Sequence, residues 1–408
     1  MARIVASLLT IFLAPHTAAA TPFATCMEER EMTRVARLLD PADRPVYARV
    51  VEQHEGRITR AVTIASSATP LSVVFEKAGA ASGRVFAVSD ERVCGVVELS
   101  ESDIEAETQV VVSTGLNYAA HADEAGGGTV FLFPKPVAPT SPYARVHAPA
   151  DVLLFDYEVE LAFVLLLEID LANPPSRETL LANSAFFLTN DVSDREAIIR
   201  HASLSGPGTG FVEAKGQRGF MPAGPWMVRG TELFEASEAC GGTGLELRLW
   251  VDSGGGDKVR QDANSERMIL QPAALLAYLY SWIQERGLRT PMPFDRDGAE
   301  RFYPLAVGTA GAPRLPAGSI LQTGTPEGVA LNAPSPLGVT LRGLLRGRGP
   351  FSQFLVEERA RVTAGGTNYL APGHRVRAEI TGLGTQQFEI GEAGVSPLPD
   401  ACSHETPT

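Results

Sequence analysis

Hydrophobic and polar positions alternate most cleanly where the chain reads Asp156-Tyr157-Glu158-Val159-Glu160-Leu161 and runs on through Ala-Phe-Val-Leu-Leu-Leu. A period of two with β-forming residues predicts a strand. Successive side chains on a strand take opposite faces, so Tyr157, Val159, Leu161 and Phe163 share one and Glu158 and Glu160 the other. Residues two apart lie about 7 Å apart along a strand, which lets both carboxylates reach one cation. The same pattern also fits a half-exposed strand with a solvated acidic face. A second strand-like run, Phe186 to Ser193, is interrupted by a third carboxylate, Asp191. Two Glu and an Asp on adjoining strands make an oxygen-rich site suited to Mg²⁺, Mn²⁺ or Ca²⁺ rather than zinc.

Elsewhere the patterning is coarser. Residues 31–39 read as a short helix, followed by brief strands at 73–75, 84–88 and 92–97. Together they predict a small β-rich N-terminal domain over residues 21–105. An apolar strand at 110–114 runs into Gly115 and then into a helical turn carrying His121 and Glu124. Positions three apart share a helix face, so Glu124 can accept from one imidazole nitrogen, a general-base arrangement. As an isolated pair it equally fits a surface histidine beside an acid. A loop of Ala125 and three glycines follows, able to open and close, and then Phe131 to Pro136 with Lys135 between prolines. Helices are expected at 176–185, with Glu178 in the first turn, and from Pro272 to Gly287, where Leu275, Leu276, Leu279, Trp282 and Ile283 form a stripe. Further strands are expected at 245–251, 320–323 and 376–380.

Composition narrows the class. The 408 residues are 44% hydrophobic and 20% charged, ordinary for a soluble protein with ample core. The 39 glycines and 29 prolines point to many turns and a strand-rich fold. A net charge of −13 argues against nucleic acid as partner. It does not exclude an anionic substrate, because a bound divalent metal reverses the local field. Arg3, an apolar run over 4–14 and Ala18-Ala19-Ala20 read as a signal peptide spanning 1–20, with an uncleaved N-terminal helix as the alternative. The run is too short to span a bilayer comfortably, and no other segment is a transmembrane candidate. The mature protein is therefore expected in the periplasm or secreted. Export makes disulfides possible for Cys26, Cys94, Cys240 and Cys402. Four cysteines allow three pairings, and free thiols are a further option.

Several segments occur in a telling order: Gly115-Leu116-Asn117-Tyr118 with His121 and Glu124, Phe133-Pro134-Lys135-Pro136, Asp156 to Leu161, and Asn190-Asp191-Val192-Ser193. Gly224-Pro225-Trp226, Arg260-Gln261 with Asn264, Gln322 to Val329 and Gly382-Leu383-Gly384-Thr385 follow. This series, over roughly residues 110 to 390, resembles the fumarylacetoacetate hydrolase family. The resemblance implies an α+β, β-rich fold: a mixed β-roll core with flanking helices, usually assembled as a homodimer, here within a catalytic domain at 106–395. It makes Glu158, Glu160 and Asp191 ligands of a divalent metal, His121 the base that activates water, and Glu124 the acid that orients it. Lys215 corresponds to a lysine that helps polarise the substrate. Thr325, Arg260 and Gln261 correspond to substrate-binding positions, and Lys135 and Tyr118 fall in motifs assigned to the same task.

The chain departs from the family pattern at Arg218, Arg267 and His374, which stand where acidic residues are frequent. Insertions near 286–316 and 330–372 flank the strand before Thr325 and would lid the pocket or decorate the surface; residues 396–408 form a tail. Three functions are compatible with these features. The first is metal-dependent hydrolysis of a carbon–carbon bond in a 1,3-dicarbonyl or acylpyruvate-type 2-keto acid. The second is decarboxylation, isomerisation or dehydration of a 2-keto acid on the same metal–enolate chemistry. The third is an exported binding protein that keeps the fold without catalysis.

Overall fold

In the computed structural model, residues 21–203, 209–293, 300–332, 342–395 and 402 are described. The expected leader lies outside them, as does the tail apart from Cys402. The fold is α+β and β-rich, built on a ten-stranded mixed sheet. In spatial order its strands are Val85–Ala87, Arg57–Ser66, Pro45–His54, Arg34–Leu39, Met227–Arg229, Ser184–Asn190, Val159–Leu165, Ile320–Gln322, Val111–Gly115 and Phe131–Pro134. Strand 320–322 pairs in parallel with 111–115 and antiparallel with 159–165. A five-stranded sheet formed by 257–264, 246–252, 375–380, 384–391 and 145–147 supplies the second layer.

The central strands 159–165 and 184–190 are buried along their whole length on both faces. That rules out the solvated acidic face: Glu158 and Glu160 are interior side chains. Helix Pro272–Arg286 packs Leu275, Leu276, Leu279, Trp282 and Ile283 into the core and ends before Gly287, as its stripe predicts. Among the described residues no helix is long and apolar enough to cross a membrane.

The N-terminal third corrects three expectations. Residues 34–39 form a strand, not part of a helix, because hairpin strand 45–54 on one side and strand 227–229 on the other take its hydrogen bonds. Pairing partners overrode a weak local preference. Residues 73–75 lie in helix Leu71–Ala78, whose buried Leu71, Val74, Phe75 and Ala78 follow the i, i+3, i+4, i+7 period. Residues 92–97 form no strand beyond one bridge, Leu38 to Val93. The hairpin 45–54/57–66 closes through Glu55 and Gly56, both at positive φ (50° and 73°), the geometry of a tight two-residue turn. Helix Arg177–Ala182 is capped by the Ser176 hydroxyl and stops short of 185, because Ser184 already belongs to the next strand. Disulfides join Cys26 to Cys240 and Cys94 to Cys402, with Cα atoms 5.8 Å apart in each.

Candidate functional site

The site forms where strands 159–165 and 184–190 end side by side, with Thr189 opposite Glu160 and Asn190 opposite Val159. The Asp191 N–H donates to the Glu158 carbonyl at 2.8 Å, and the Glu158 N–H donates to Asn190 Oδ1 at 3.0 Å. These bonds converge three carboxylates: one oxygen each from Glu158, Glu160 and Asp191 lie within 4.8 Å of one another, all buried.

Such a cluster in a low-dielectric interior demands positive charge. Lys215, at the end of the short helix Phe211–Lys215, donates from Nζ to Glu158 Oε2 and Asp191 Oδ2, at 2.6 Å each. Arg195 donates to Asp156 Oδ2 at 2.7 Å and to Glu158 Oε1. Lys135 donates to Asp191 Oδ1 and, at 3.0 Å, to the Phe220 carbonyl. Four carboxylates, counting Asp156, thus face three cations. Burial raises the Glu158 carboxyl, yet the charges of Arg195 and Lys215 outweigh it and hold it at about 2. For Glu160 the Lys215 charge and the Gly324 N–H help too little. Burial, then the charges of Asp191 and Glu158, push it far above the ordinary carboxylate range. For Lys215 burial favours the neutral amine, but Asp191 and Glu158 outweigh it and raise the ammonium.

The turn after strand 320–322 braces both parts of the site. Gly324, at φ +90°, donates its N–H to Glu160 Oε2 at 3.0 Å. Gly328, at φ +101°, donates to both oxygens of Glu124 at 3.0 and 3.1 Å, and a Cβ there would collide with the Arg260 carbonyl. The Thr325 hydroxyl accepts from Gln261 Nε2 at 2.8 Å and donates to the Val159 carbonyl at 3.0 Å. The stretch from Thr323 to Gly328 therefore ties the strand that carries Glu160 to the acid beside His121.

A cavity of about 660 Å³ opens onto this cluster, lined on its polar side by Glu158, Lys215, Arg195, His121 and Thr325. His121 sits with Nδ1 3.6 Å from Glu124 Oε2, an ion-pair separation that leaves Nδ1 without a hydrogen-bond partner. Of the residues named from sequence, the structure gathers Glu158, Glu160, Asp191, His121, Glu124, Lys215 and Thr325. Glu160, Asp191 and Glu124 stand behind the cavity lining, and four further named residues are off the cavity. Lys135 is fully buried behind Asp191, Gln261 spends its amide on Val159, Thr325 and Pro326, Arg260 is half-buried away from the lining, and Tyr118 is buried against Met268. Sequence reasoning missed Asp156 and Arg195. Their signals were present: an acid opening the Glu158 strand run and an arginine four positions after Asp191.

An all-oxygen donor set fits a hard divalent cation. The remaining Glu160 oxygen, Oε1, is buried without a hydrogen-bond partner, and such an orphan acceptor is what an incoming cation satisfies.

Comparisons with known proteins agree on one family. The profile of the fumarylacetoacetate hydrolase C-terminal domain matches residues 110–390. A Burkholderia lata protein named only as a hydrolase is 27% identical over 240 residues, covering 55% of this chain and 65% of its own length. Among solved structures, a 2-hydroxyhepta-2,4-diene-1,7-dioate isomerase from Mycobacterium marinum aligns with a TM-score of 0.53 at 20% identity, over 89% of this chain and all of that one. Fumarylacetoacetate hydrolase from Exiguobacterium antarcticum aligns with a TM-score of 0.54 at 18% identity, over 88% and 99% of the two chains. At these identities the structures speak for the fold, and the family match for the lineage: this chain belongs to the fumarylacetoacetate hydrolase family of enzymes.

Proposed function

We propose that the protein is a divalent-metal-dependent hydrolase that cleaves a carbon–carbon bond in an acylpyruvate-type 2-keto acid. The observation that carries this reading is the buried Glu158–Glu160–Asp191 cluster, which meets a cavity through Glu158, beside His121 in the same lining. Mg²⁺ or Mn²⁺ would be held by those three carboxylates. The chemistry such an ion supplies is Lewis-acid polarisation of the keto-acid oxygens and stabilisation of charge as the bond breaks. The chain's own groups do the rest. His121, whose Nδ1 side faces Glu124, takes the proton from the attacking water at its other ring nitrogen. Glu124 is held by the Gly328 N–H and keeps the imidazole turned. Lys215 reaches the cavity from beside Glu158 and offers positive charge to the developing oxyanion, an effect worth about 3–4 kcal/mol per donor in comparable sites. The two disulfides suit an oxidising compartment, and with the leader at 1–20 they support export.

The test is a turnover assay with Mg²⁺ against acylpyruvates and against oxaloacetate, using His121→Ala. Acylpyruvate hydrolysis should fall at least about a hundredfold, the general-base contribution, while any oxaloacetate decarboxylation persists. Loss of neither activity would remove His121 from the mechanism. Loss of both would favour an enolate chemistry in which the histidine acts on every substrate.

A further inference from the structure

Beyond the carboxylate floor, the cavity wall is aromatic. Phe131, Phe133 and Phe211 form one cluster, with ring centroids 4.7 Å (131–211), 5.1 Å (133–211) and 5.9 Å (131–133) apart. It begins at the floor: the Lys215 ammonium lies 5.8 Å from the Phe133 ring, and Phe211 sits one helical turn before Lys215. Phe351 and Phe354 continue the wall from helix Pro350–Thr363, which lies inside the 330–372 insertion. They are three residues apart and so share a face. On the back of that helix Arg359 pairs with the buried Glu196 of helix Arg195–Arg200, which fixes it to the body of the protein.

Charge is distributed just as unevenly. Among the described residues the lining carries two permanently cationic side chains, Arg195 and Lys215, and carboxylates of the floor engage both. The segments 204–208 and 333–341, adjacent in sequence to wall residues, contain no Lys, Arg or His. A second substrate carboxylate seated among the phenylalanines would lose its hydration with no described cation to replace it.

Taking the keto-acid site above as its starting point, we infer that the enzyme selects monocarboxylic 2-keto acids with an extended apolar tail. The keto-acid head lies at the carboxylate floor, and the tail lies along Phe131, Phe133, Phe211, Phe351 and Phe354. A cavity of about 660 Å³ is in the range of sites that enclose drug-sized ligands, far more room than a short-chain keto acid fills. The insertion helix is thereby a determinant of specificity rather than surface decoration.

The decisive measurement is calorimetric binding to the Mn²⁺-loaded full-length protein of three non-cleavable probes: 2-oxobutanoate, 2-oxooctanoate and 2-oxooctanedioate. Each added methylene should tighten binding roughly two- to fourfold, and 2-oxooctanoate should bind at least tenfold more tightly than the dioate of equal chain length. Phe351→Ala and Phe354→Ala should erase most of the gain for 2-oxooctanoate while leaving 2-oxobutanoate within about twofold. The inference is overturned if the dioate binds as tightly as 2-oxooctanoate, if neither long-chain acid binds, or if the variants weaken the short and long acids equally. The wild-type comparison stands even if a variant folds poorly. Acylpyruvate turnover is judged separately: absence of hydrolysis with selective 2-oxooctanoate binding would sink the proposed reaction and leave the tail site in place.

Discussion

At and beneath the cavity floor, where Glu158, Arg195 and Lys215 reach the lining, four carboxylates meet three cations, whereas the wall carries phenylalanines. Both oxygens of Glu158 and both of Asp191 accept bonds from Lys135, Lys215 or Arg195, and strand pairing fixes where those carboxylates stand. The wall comes from the edge strand 131–134 and two helices, 211–215 and 350–363; apart from Lys215 at the floor, the charged side chains of those helices pair away from the lining, Glu213 with Arg200, Glu357 with Arg342, Glu358 with Arg361 and Arg359 with Glu196. Burying like charges costs free energy, and burying rings releases it. The floor is thus the part of the molecule that folding alone would not build, and the wall is the part that folding favours. Chemistry is expected to reside in the first and selectivity in the second.

Glu160→Gln tests the floor most severely. Metal contributions of several kcal/mol to the barrier correspond to a loss of roughly a thousandfold in turnover, for every substrate alike, and metal content after dialysis should fall with it. Without metal the variant should be as stable as the parent or more so in urea titration, because burial and the charges of Asp191 and Glu158 all oppose the Glu160 carboxylate. A variant that was less stable yet still active would reverse the contrast between floor and wall.

The floor was largely legible in the sequence. Acids two apart on an apolar strand and a third on the next strand have few uses, and the structure brings Glu158, Glu160 and Asp191 together. The wall was not legible, because Phe131, Phe211 and Phe351 stand 80 and 140 residues apart in sequence (131 to 211, 211 to 351), and only tertiary packing makes them one surface. Local signals failed in the N-terminal strands for the same reason: residues 34–39 become a strand through partners at 45–54 and 227–229. The cation roles divided similarly. Lys215 could be placed by resemblance, but nothing in Phe-Pro-Lys-Pro revealed that Lys135 would lie beneath Asp191 instead of beside the substrate.

Lys135→Met makes that distinction measurable. If Lys135 bound substrate, the variant would raise KM and leave stability alone. As a fully buried partner of Asp191, its removal should instead cost about 3–5 kcal/mol in unfolding free energy. The residual folded enzyme should keep its preference between short- and long-tailed acids, since the wall is untouched. An unchanged midpoint in urea with a raised KM would return Lys135 to the cavity.

The smallest effect is expected where floor and wall meet. Three consecutive residues divide the work: Arg195 pairs with the floor, Glu196 pairs with Arg359 behind the wall, and Asp194 caps their helix, accepting from the N–H groups of Glu196 at 2.8 Å and Ala197 at 3.3 Å. Burial pushes the Asp194 carboxyl up to about 6, with Arg200, 3.9 Å away, only partly opposing it. Below about pH 4 the group is protonated in both folded and unfolded chains and has no effect. Between there and pH 6 the unfolded chain releases its proton first, so it binds fewer protons and stability falls as pH rises. At one pKa unit per 1.36 kcal/mol the loss reaches about 3 kcal/mol at most and then stays constant. Asparagine caps a helix as well as aspartate and does not ionise. Asp194→Asn should therefore raise stability at pH 7 by about 1–3 kcal/mol and remove this part of the slope between pH 4 and 6, read from urea midpoints at a series of pH values. Turnover at the floor and tail preference at the wall should both survive, because neither half touches the substituted group. A loss of stability at pH 7 would mean that the carboxylate's charge, through Arg200, holds the junction together after all.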